Sequence, residues 1–599
     1  MRVPRVRNVG YRASLRSGDL MIMRNSLCHL LALVILIIGS YAQTTVLSTR
    51  GNTSRKALDR DLLEVTIPHL EKLYSSHKYT VTEVVRWYLA RIEKYNGIYR
   101  AVQNLDVPGA LATAAGEDAE AKMGGFVRGP LWGVPIVTKA NTSIKGLVTT
   151  DGWKGYIIPG HELVAPEDAT IIKKLRAAGA VILGQTNMPD FAASDTNRST
   201  AYGRTGNAYD VRFSPGGSSG GTVTAITSNF ALLGNGTDTG NSIRMPAATS
   251  SVVGIFPTRG LVSIAGIAPL DWLLDNTGPI ARDVTDAAIA LDVMAGEDSL
   301  DPATAGSRDK AQRGPYTQYL NPYALKGKRF AVPAFILDGD PPAFQGVCPN
   351  ATAAQLAKAK KESSTPLNPA TRTAFLKAVK EVTAAGATVL IDPQIMPDSF
   401  ADAASHICTL PYLREGTDNF LAGFGPAQYH SSVEYEHAVG KPLPGVIIGG
   451  DKTGMFAAVD IQQTTLETDP QAEITLRRPR RELLAMYEAE LDRLHLDGFI
   501  YPAIQMPPVD ETMPQDGRLS EGPHSATGWV NMLGVPAISF PAGFYDNGLP
   551  FGIEISTRKW HDGDMIGWVY DYELHTHHRR PPVLVERGLL PTAAQPPAP

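Results

Sequence analysis

Between Leu58 and Ala114 apolar residues recur at helical spacing. In the stretch TVTEVVRWYLARIEKYN, Val84, Tyr88, Leu89 and Ile92 form one stripe, and Thr80 or Thr82 stands where an N-cap belongs. Beyond this point the period changes. GVPIVT is a continuous apolar run and reads as a buried strand. DATIIKKLRAAGAVILG reads as helix, glycine stop and strand. KRFAVPAF, ATVLID, DGFIYPA, PAISFPA and FGIEIS are further strand candidates. Strands alternating with helices predict an α/β fold with a largely parallel, buried sheet. From about Ala303 to Glu490 the chain is more helical and less regular, and ATAAQLAKAKKESSTPLNPATRT reads as a solvated insertion. MPPVDETMPQDGRLSEGPHS is a long loop of the kind that borders a substrate mouth. The segment 583–599, ending PTAAQPPAP, reads as a disordered tail.

The chain has 599 residues, and length alone suggests about four domains. No linker interrupts Leu58 to Pro582, so one large domain over 57–582 is expected instead. A net charge of -4 gives no electrostatic case for nucleic acid or an anionic membrane. Leu27 to Ile38 is an apolar run preceded by Arg24 and followed by Ser40, Tyr41 and Ala42. It has the length and flanks of a secretory signal, cleaved after Ala42, and is shorter than the ~20 residues of a spanning helix. Residues 1–42 are thus expected to be a signal with a basic lead, and 43–56 a flexible segment. A start at Met21 or Met23 gives a more compact signal. No stable membrane anchor is expected.

Of three cysteines, Cys28 leaves with the signal, and Cys348 and Cys408 are equally compatible with one disulfide or two buried thiols. Sequons occur at Asn52, Asn141, Asn197, Asn235 and Asn350, and the polar surroundings of Asn52 and Asn350 suit a glycan. His575, His577 and His578 match no zinc spacing and read as a helix end or loop.

Candidate chemistry begins at SPGGSSGG, Ser214 to Gly221. Gly216 to Gly220 around Ser218 fits G-x-S-x-G, but the lead-in GNAYDVRFSP is polar and broken by Pro215, unlike the apolar strand of a nucleophile elbow. No Lys-Ser/Thr pair follows, so a phosphate loop is excluded. Two other stretches stand out. RGPLWGVPIVTKANTS ends an apolar strand in Lys139. GNGTDTGNSIRMPA reads as a second glycine-rich loop that puts Ser242 just before a helix-like run. Singly, a lysine after a strand is a surface residue and a serine before a helix is an N-cap.

Together the three stretches resemble the amidase signature family of serine hydrolases. The resemblance rests on GGSSGG, the step of twenty-four positions from Ser218 to Ser242, and the wording GTDTGNSIRMPA. RGPLWGVPIVTK, DATIIKKLRAAGAVILGQTNMPDFA and GIFPTRGLVSIAGIAPLDWLLDNTGPIARDVTDAA agree as well, as do GVPAISFPAGF and LPFGIEI. The match is strong from about Thr80 to Asp298, moderate from about Asp497 to Pro582 and weak between.

The resemblance implies one α/β/α domain around a twisted mixed sheet and a Ser-Ser-Lys triad. Ser242 matches the nucleophile, Ser218 the bridging serine and Lys139 the base; Ser219 is structural. It also implies a cis peptide at Gly217–Ser218, an oxyanion loop of Thr239, Gly240, Asn241 and Ser242, and bracing by Asp238 and Arg244. No metal or organic cofactor is implied, and the partner is a small-molecule amide. Lysine serves as a base only when neutral, so its reference pKa of about 10.4 has to fall by roughly three units. Burial behind GVPIVT supplies the desolvation.

Two positions depart from the family pattern. Asn241 stands where glycine is common, and asparagine tolerates positive φ best among other residues. Ala140 replaces the acid that often follows the lysine, which favours neutral Lys139. Ala192, Ala193 and Ser194 fall in a stretch that borders the site in relatives. The expected function is a secreted amidase. The alternatives are an esterase, a membrane-associated lipid amidase, an amidotransferase component (disfavoured by the signal) and a catalytically dead binding protein (disfavoured by the intact triad).

Overall fold

A computed structural model describes residues 56–339, 366–448, 461–512 and 523–588. The signal at 1–42, nearly all of 43–56, the sequons Asn52 and Asn350, and Cys348 lie outside the described residues. Contacts divide the chain into a unit of residues 1–63 and a unit of residues 64–599. In the first, residues 56–62 are helical. The second holds the sheet and the site.

Its core is an eleven-stranded mixed sheet. In chain order the strands are β1 (Val102–Leu105), β2 (Val134–Lys139), β3 (Ala180–Thr186), β6 (Leu233–Asp238), β7 (Val253–Phe256), β8 (Asn276–Ala281), β9 (Arg329–Ala331), β10 (Thr388–Leu390), β11 (Gly498–Pro502), β12 (Ala537–Phe544) and β13 (Pro550–Ser556). β4 (Arg198–Ser199) and β5 (Gly203–Arg204) pair separately. The spatial order is β1-β3-β2-β6-β8-β7-β12-β13-β11-β9-β10. β3-β2-β6 and β11-β9-β10 run parallel, while every pairing from β6 through β8, β7, β12 and β13 to β11 is antiparallel. The sheet is therefore less parallel than the alternation of elements suggests.

Local signals explain much of this. The helix Val81–Tyr99 starts at Thr80 in a reciprocal capping box with Glu83. β2 and β3 are buried at every position, as continuous apolar runs require. The helix Thr170–Ala177 ends before Gly179, whose φ of +88° favours glycine; a Cβ there would lie 2.7 Å from Trp132 Cα. Helices Gly220–Thr227, Arg244–Ser250, Val284–Met294 and Asp562–Thr576 pack on the sheet.

Three expectations need correction. β1 lies inside the region read as helical: it is a four-residue edge strand, half-exposed, too short to show its own period. The stretch read as a second glycine-rich loop is β6 in its first part, a buried strand whose small residues leave room for neighbours. A Cβ on Gly234 or Gly236 would come within 2.8 Å of other atoms. The expected tail begins with the helix Val583–Glu586, where Glu586 forms an ion pair with Arg91. His575 and His578 do have acidic neighbours, Asp571 at 3.1 Å and Glu381 at 2.8 Å. Cys408 is buried and disulfide-bonded. Among the described residues no helix is long and apolar enough to cross a membrane.

Candidate active site

Lys139 is the last residue of β2, flanked by β3 and β6. Its backbone N–H donates to Asn235 Oδ1 at 3.1 Å. Its Nζ lies 2.7 Å from Ser218 Oγ, 2.8 Å from Thr237 Oγ1 and 3.2 Å from the Thr237 carbonyl. The side chain is fully buried, and burial lowers its pKa to about 7 against the opposing pull of Asp151, Asp238 and Asp275. The missing acid at Ala140 therefore does not leave Lys139 without carboxylates: three others act on it, and desolvation still prevails.

Ser218 is buried and follows a cis Gly217–Ser218 peptide. The loop is built by close backbone approach. A Cβ on Gly217 would lie 2.3 Å from the Thr196 carbonyl and 2.5 Å from that of Ser194. Gly217→Ala is expected to cost at least the ~1–3 kcal/mol of an overpacked core site, with activity falling alongside, as urea unfolding and amide turnover would record. Ser219 donates its hydroxyl to the Thr237 carbonyl at 3.2 Å and its N–H to the Ser242 carbonyl at 3.1 Å. The two serine loops are thereby tied together.

Ser242 sits between β6 and the helix Arg244–Ser250 and is 6% exposed. Its hydroxyl donates to Asn241 Oδ1 at 3.4 Å rather than to Ser218. Asn241 Nδ2 donates to Asp195 Oδ1 at 3.2 Å. Asn241 keeps a negative φ, so it needs none of the left-handed tolerance expected of it; its contribution is the side-chain bonding. Among the described residues the N–H groups of Thr239, Gly240, Asn241 and Ser242 have no protein acceptor. The next two, Ile243 and Arg244, donate to Asp238 Oδ2 at 2.9 and 3.4 Å.

Asp238 and Arg244 brace this loop from a buried network. Arg244 Nε meets Asp238 Oδ2 at 3.0 Å, Nη1 meets Glu554 Oε1 at 2.6 Å, and Nη2 donates to the Gly240 carbonyl at 2.9 Å. Thr239 Oγ1 donates to Asp275, whose carboxyl burial pushes up to about 7. The structure thus gathers every expected site residue at the ends of β2 and β6.

Sequence reasoning missed Asn235, Thr237, Asp151, Asp275, Asn531 and Glu554. Asn235 and Thr237 lie on β6, so recognising that strand would have found them. Glu554 and Asn531 lie about 300 residues from Arg244 and carry no local signal. Of Ala192, Ala193 and Ser194, Ser194 borders the site, its carbonyl 2.5 Å from where a Cβ on Gly217 would lie. The long loop does as well: Ser214 N–H donates to the Val509 carbonyl at 3.0 Å, just ahead of GGSSGG. Its residues 513–522 lie outside the described residues. Asn141, Asn197 and Asn235 are buried, unlike glycan acceptors.

A family model described as Amidase matches residues 83–566. The chain belongs to the amidase signature family. This amidase is 30% identical over 536 residues to a glutamyl-tRNA(Gln) amidotransferase subunit from Symbiobacterium thermophilum, covering 87% of this chain and 98% of the relative. A protein of the same name from Streptomyces avermitilis is 42% identical over 241 residues, 40% of this chain and 47% of its own. Among solved structures, native peptide amidase from Stenotrophomonas maltophilia superposes with a TM-score of 0.67 at 28% identity, covering 87% of this chain and 98% of that one. The amidase is an enzyme that hydrolyses amide bonds.

Proposed function

We propose that this amidase cleaves a carboxylic amide through an acyl-enzyme on Ser242, with Ser218 as proton relay and Lys139 as base. The observation that carries this reading is the buried Lys139, near-neutral at a pKa of about 7 and 2.7 Å from Ser218 Oγ. Ser242 Oγ turns from Asn241 toward Ser218, gives up its proton through Ser218 to Lys139 Nζ, and attacks the substrate carbonyl. The oxyanion lies against the N–H groups of Thr239 to Ser242, where each donor supplies about 3–4 kcal/mol. The proton returns through Ser218 to the leaving amine. Water then enters by the same relay and releases the acid.

A fluorophosphonate label tests this. Adduct on Ser242, lost in Lys139→Ala, supports it; adduct on Ser218, or none on folded protein, refutes it. The pH profile is a second check. Protonated Lys139 accepts no proton, so kcat/KM is expected to fall as pH drops through about 7 and to plateau above it. A profile flat from pH 5 to 9 contradicts the lysine base.

The run Leu27 to Ile38 before Ser40-Tyr41-Ala42 supports secretion, with Asn52 and Asn350 as glycan acceptors. Sequencing the mature N-terminus of protein expressed with its leader tests this, and a mature chain that retains Leu27 to Ile38 refutes it.

A further inference from the structure

Asp151 is a buried acid that the reaction scheme leaves unused. It is 1% exposed, and among the described residues its Oδ1 has no hydrogen-bond partner. The backbone fixes it at the reacting end of the sheet. Its N–H donates at 3.2 Å to the carbonyl of Ala140, the residue after Lys139, and its own carbonyl accepts from Phe191 N–H at 2.8 Å. It holds a φ of +46°, a left-handed conformation rare outside glycine. Four residues beyond Phe191, Asp195 accepts from Asn241, the neighbour of Ser242. Residues 191–195 therefore bridge Asp151 to the nucleophile's side over at most about 14 Å of chain.

The surroundings are apolar and aromatic. Ala140, Tyr156, Phe191 and Ala192 belong to one buried cluster. Trp153, Tyr156 and Phe191 have ring centroids 5.1–5.6 Å apart. Burial raises the Asp151 carboxyl well above the usual range against the attraction of Lys139, and Asp275 and Asp190 raise it further. Asp190 is bonded to Thr200 and Asp275 to Thr239 and Leu270 N–H, and among the described residues neither has a cation of its own at bonding distance. Arg244, a buried cation beside the oxyanion loop, is engaged by Asp238 and Glu554. The reacting end is thus rich in acids and short of cations. Buried alone, the acid is held toward its neutral form; an ammonium group brought to the open Oδ1 favours the ionised form, the acid's proton passing to water, and aromatic faces suit the same group.

We propose that Asp151 is a substrate-recognition residue whose carboxylate takes a protonated amine carried on the acyl part of the amide. This rests on the amidase reading above. It makes the enzyme selective for cationic amides over neutral ones of the same shape. The test compares 6-aminohexanamide with hexanamide on the full-length mature protein. The wild type is expected to favour the amine-bearing amide at least tenfold in kcat/KM, mainly through KM. Asp151→Asn is expected to erase that preference, the ratio of the two kcat/KM values falling to near one whatever loss both substrates share through Lys139. No preference in the wild type overturns the proposal. So does an equal loss on both substrates, which assigns Asp151 to Lys139 or to the fold.

Butylammonium chloride provides a readout free of any variant. It is expected to inhibit hexanamide hydrolysis competitively at concentrations where 1-butanol and sodium chloride do not, and indistinguishable effects overturn the proposal. Fluorophosphonate labelling of Ser242 in the same preparation separates the two ideas. Labelled enzyme without cation preference refutes the role of Asp151 alone, while unlabelled folded enzyme refutes the amidase mechanism itself.

Discussion

Ser242→Ala is expected to lower kcat by roughly 10⁵–10⁶-fold, the scale seen when a serine nucleophile is removed, with the fold intact. The site tolerates the change structurally, because among the described residues the Ser242 hydroxyl makes one long bond, 3.4 Å to Asn241 Oδ1. Lys139→Met keeps length and apolar volume but removes the base, and a loss of similar order is expected. The two losses do not add. Once the base is gone, Ser242 is an ordinary hydroxyl, so the double variant is expected within about tenfold of either single one. Independent roles would instead multiply. Single-turnover rates on one amide, with circular dichroism to check folding, decide between them. A double variant about 10³-fold worse than the singles would contradict a shared proton path.

The same residues show where sequence was informative. Lys139 is legible because GVPIVT is apolar throughout and the strand ends on it. Ser218 and Ser242 are legible because their glycine-rich surroundings are specific and their spacing fixed. β6 is not legible: LGNGTD has neither apolar alternation nor β-branched enrichment, since the strand is chosen for close approach rather than for propensity. β8 hides for a related reason. NTGPIA carries Pro279 in the sheet interior, where proline ordinarily argues against a strand. Yet β6 places Thr237 and Asp238 at the site, and β8 pairs with it along its whole length. Asp151 hides differently. Its role depends on a left-handed turn that returns it to Ala140, and no short-range pattern announces that fold-back. Ala140 alone is accordingly a poor guide to the electrostatic setting of Lys139: the carboxylates that act on the lysine come from three distant positions.

Arg244→Met is expected to destabilise the protein by about 3–5 kcal/mol, the range for breaking one partner of a buried ion pair. Arg244, Asp238 and Glu554 have fully buried side chains. Beyond the two carboxylates, Arg244 also donates to the Thr527 and Gly240 carbonyls and to Asn531 Oδ1 at 2.6–3.2 Å. Methionine fills the volume but, among the described residues, leaves Asp238 with only Asn531 and the backbone N–H groups of residues 243 and 244. Lysine at this position restores charge without the planar fork and is expected to recover only part of the loss.

The deficit has a pH signature. In the wild type burial pushes the Asp238 carboxyl up, but Arg244, with the bonds from Ile243 and Asn531, holds it below the usual carboxylate range. That stabilisation is present above the unfolded pKa and fades as pH falls through the folded one. In the variant Asp238 keeps Asn531 and the backbone N–H groups of residues 243 and 244 but loses the opposing charge and rises, and Glu554, which burial already holds at about 7 in the wild type, rises further. The folded variant then binds more protons than the unfolded chain, so its stability improves as pH falls. The wild-type and variant trends converge, and the gap measured by urea unfolding is expected to be clearly smaller at about pH 5.5 than at about pH 8. A gap equal at both values would mean that lost packing around Phe256, whose ring lies 5.0 Å from the guanidinium, accounts for the loss rather than stranded charge. The oxyanion loop supplies a last discriminant. Because Arg244 holds the Gly240 carbonyl, kcat is expected to fall at temperatures where the variant is still fully folded, and unchanged kcat there would separate the brace from catalysis.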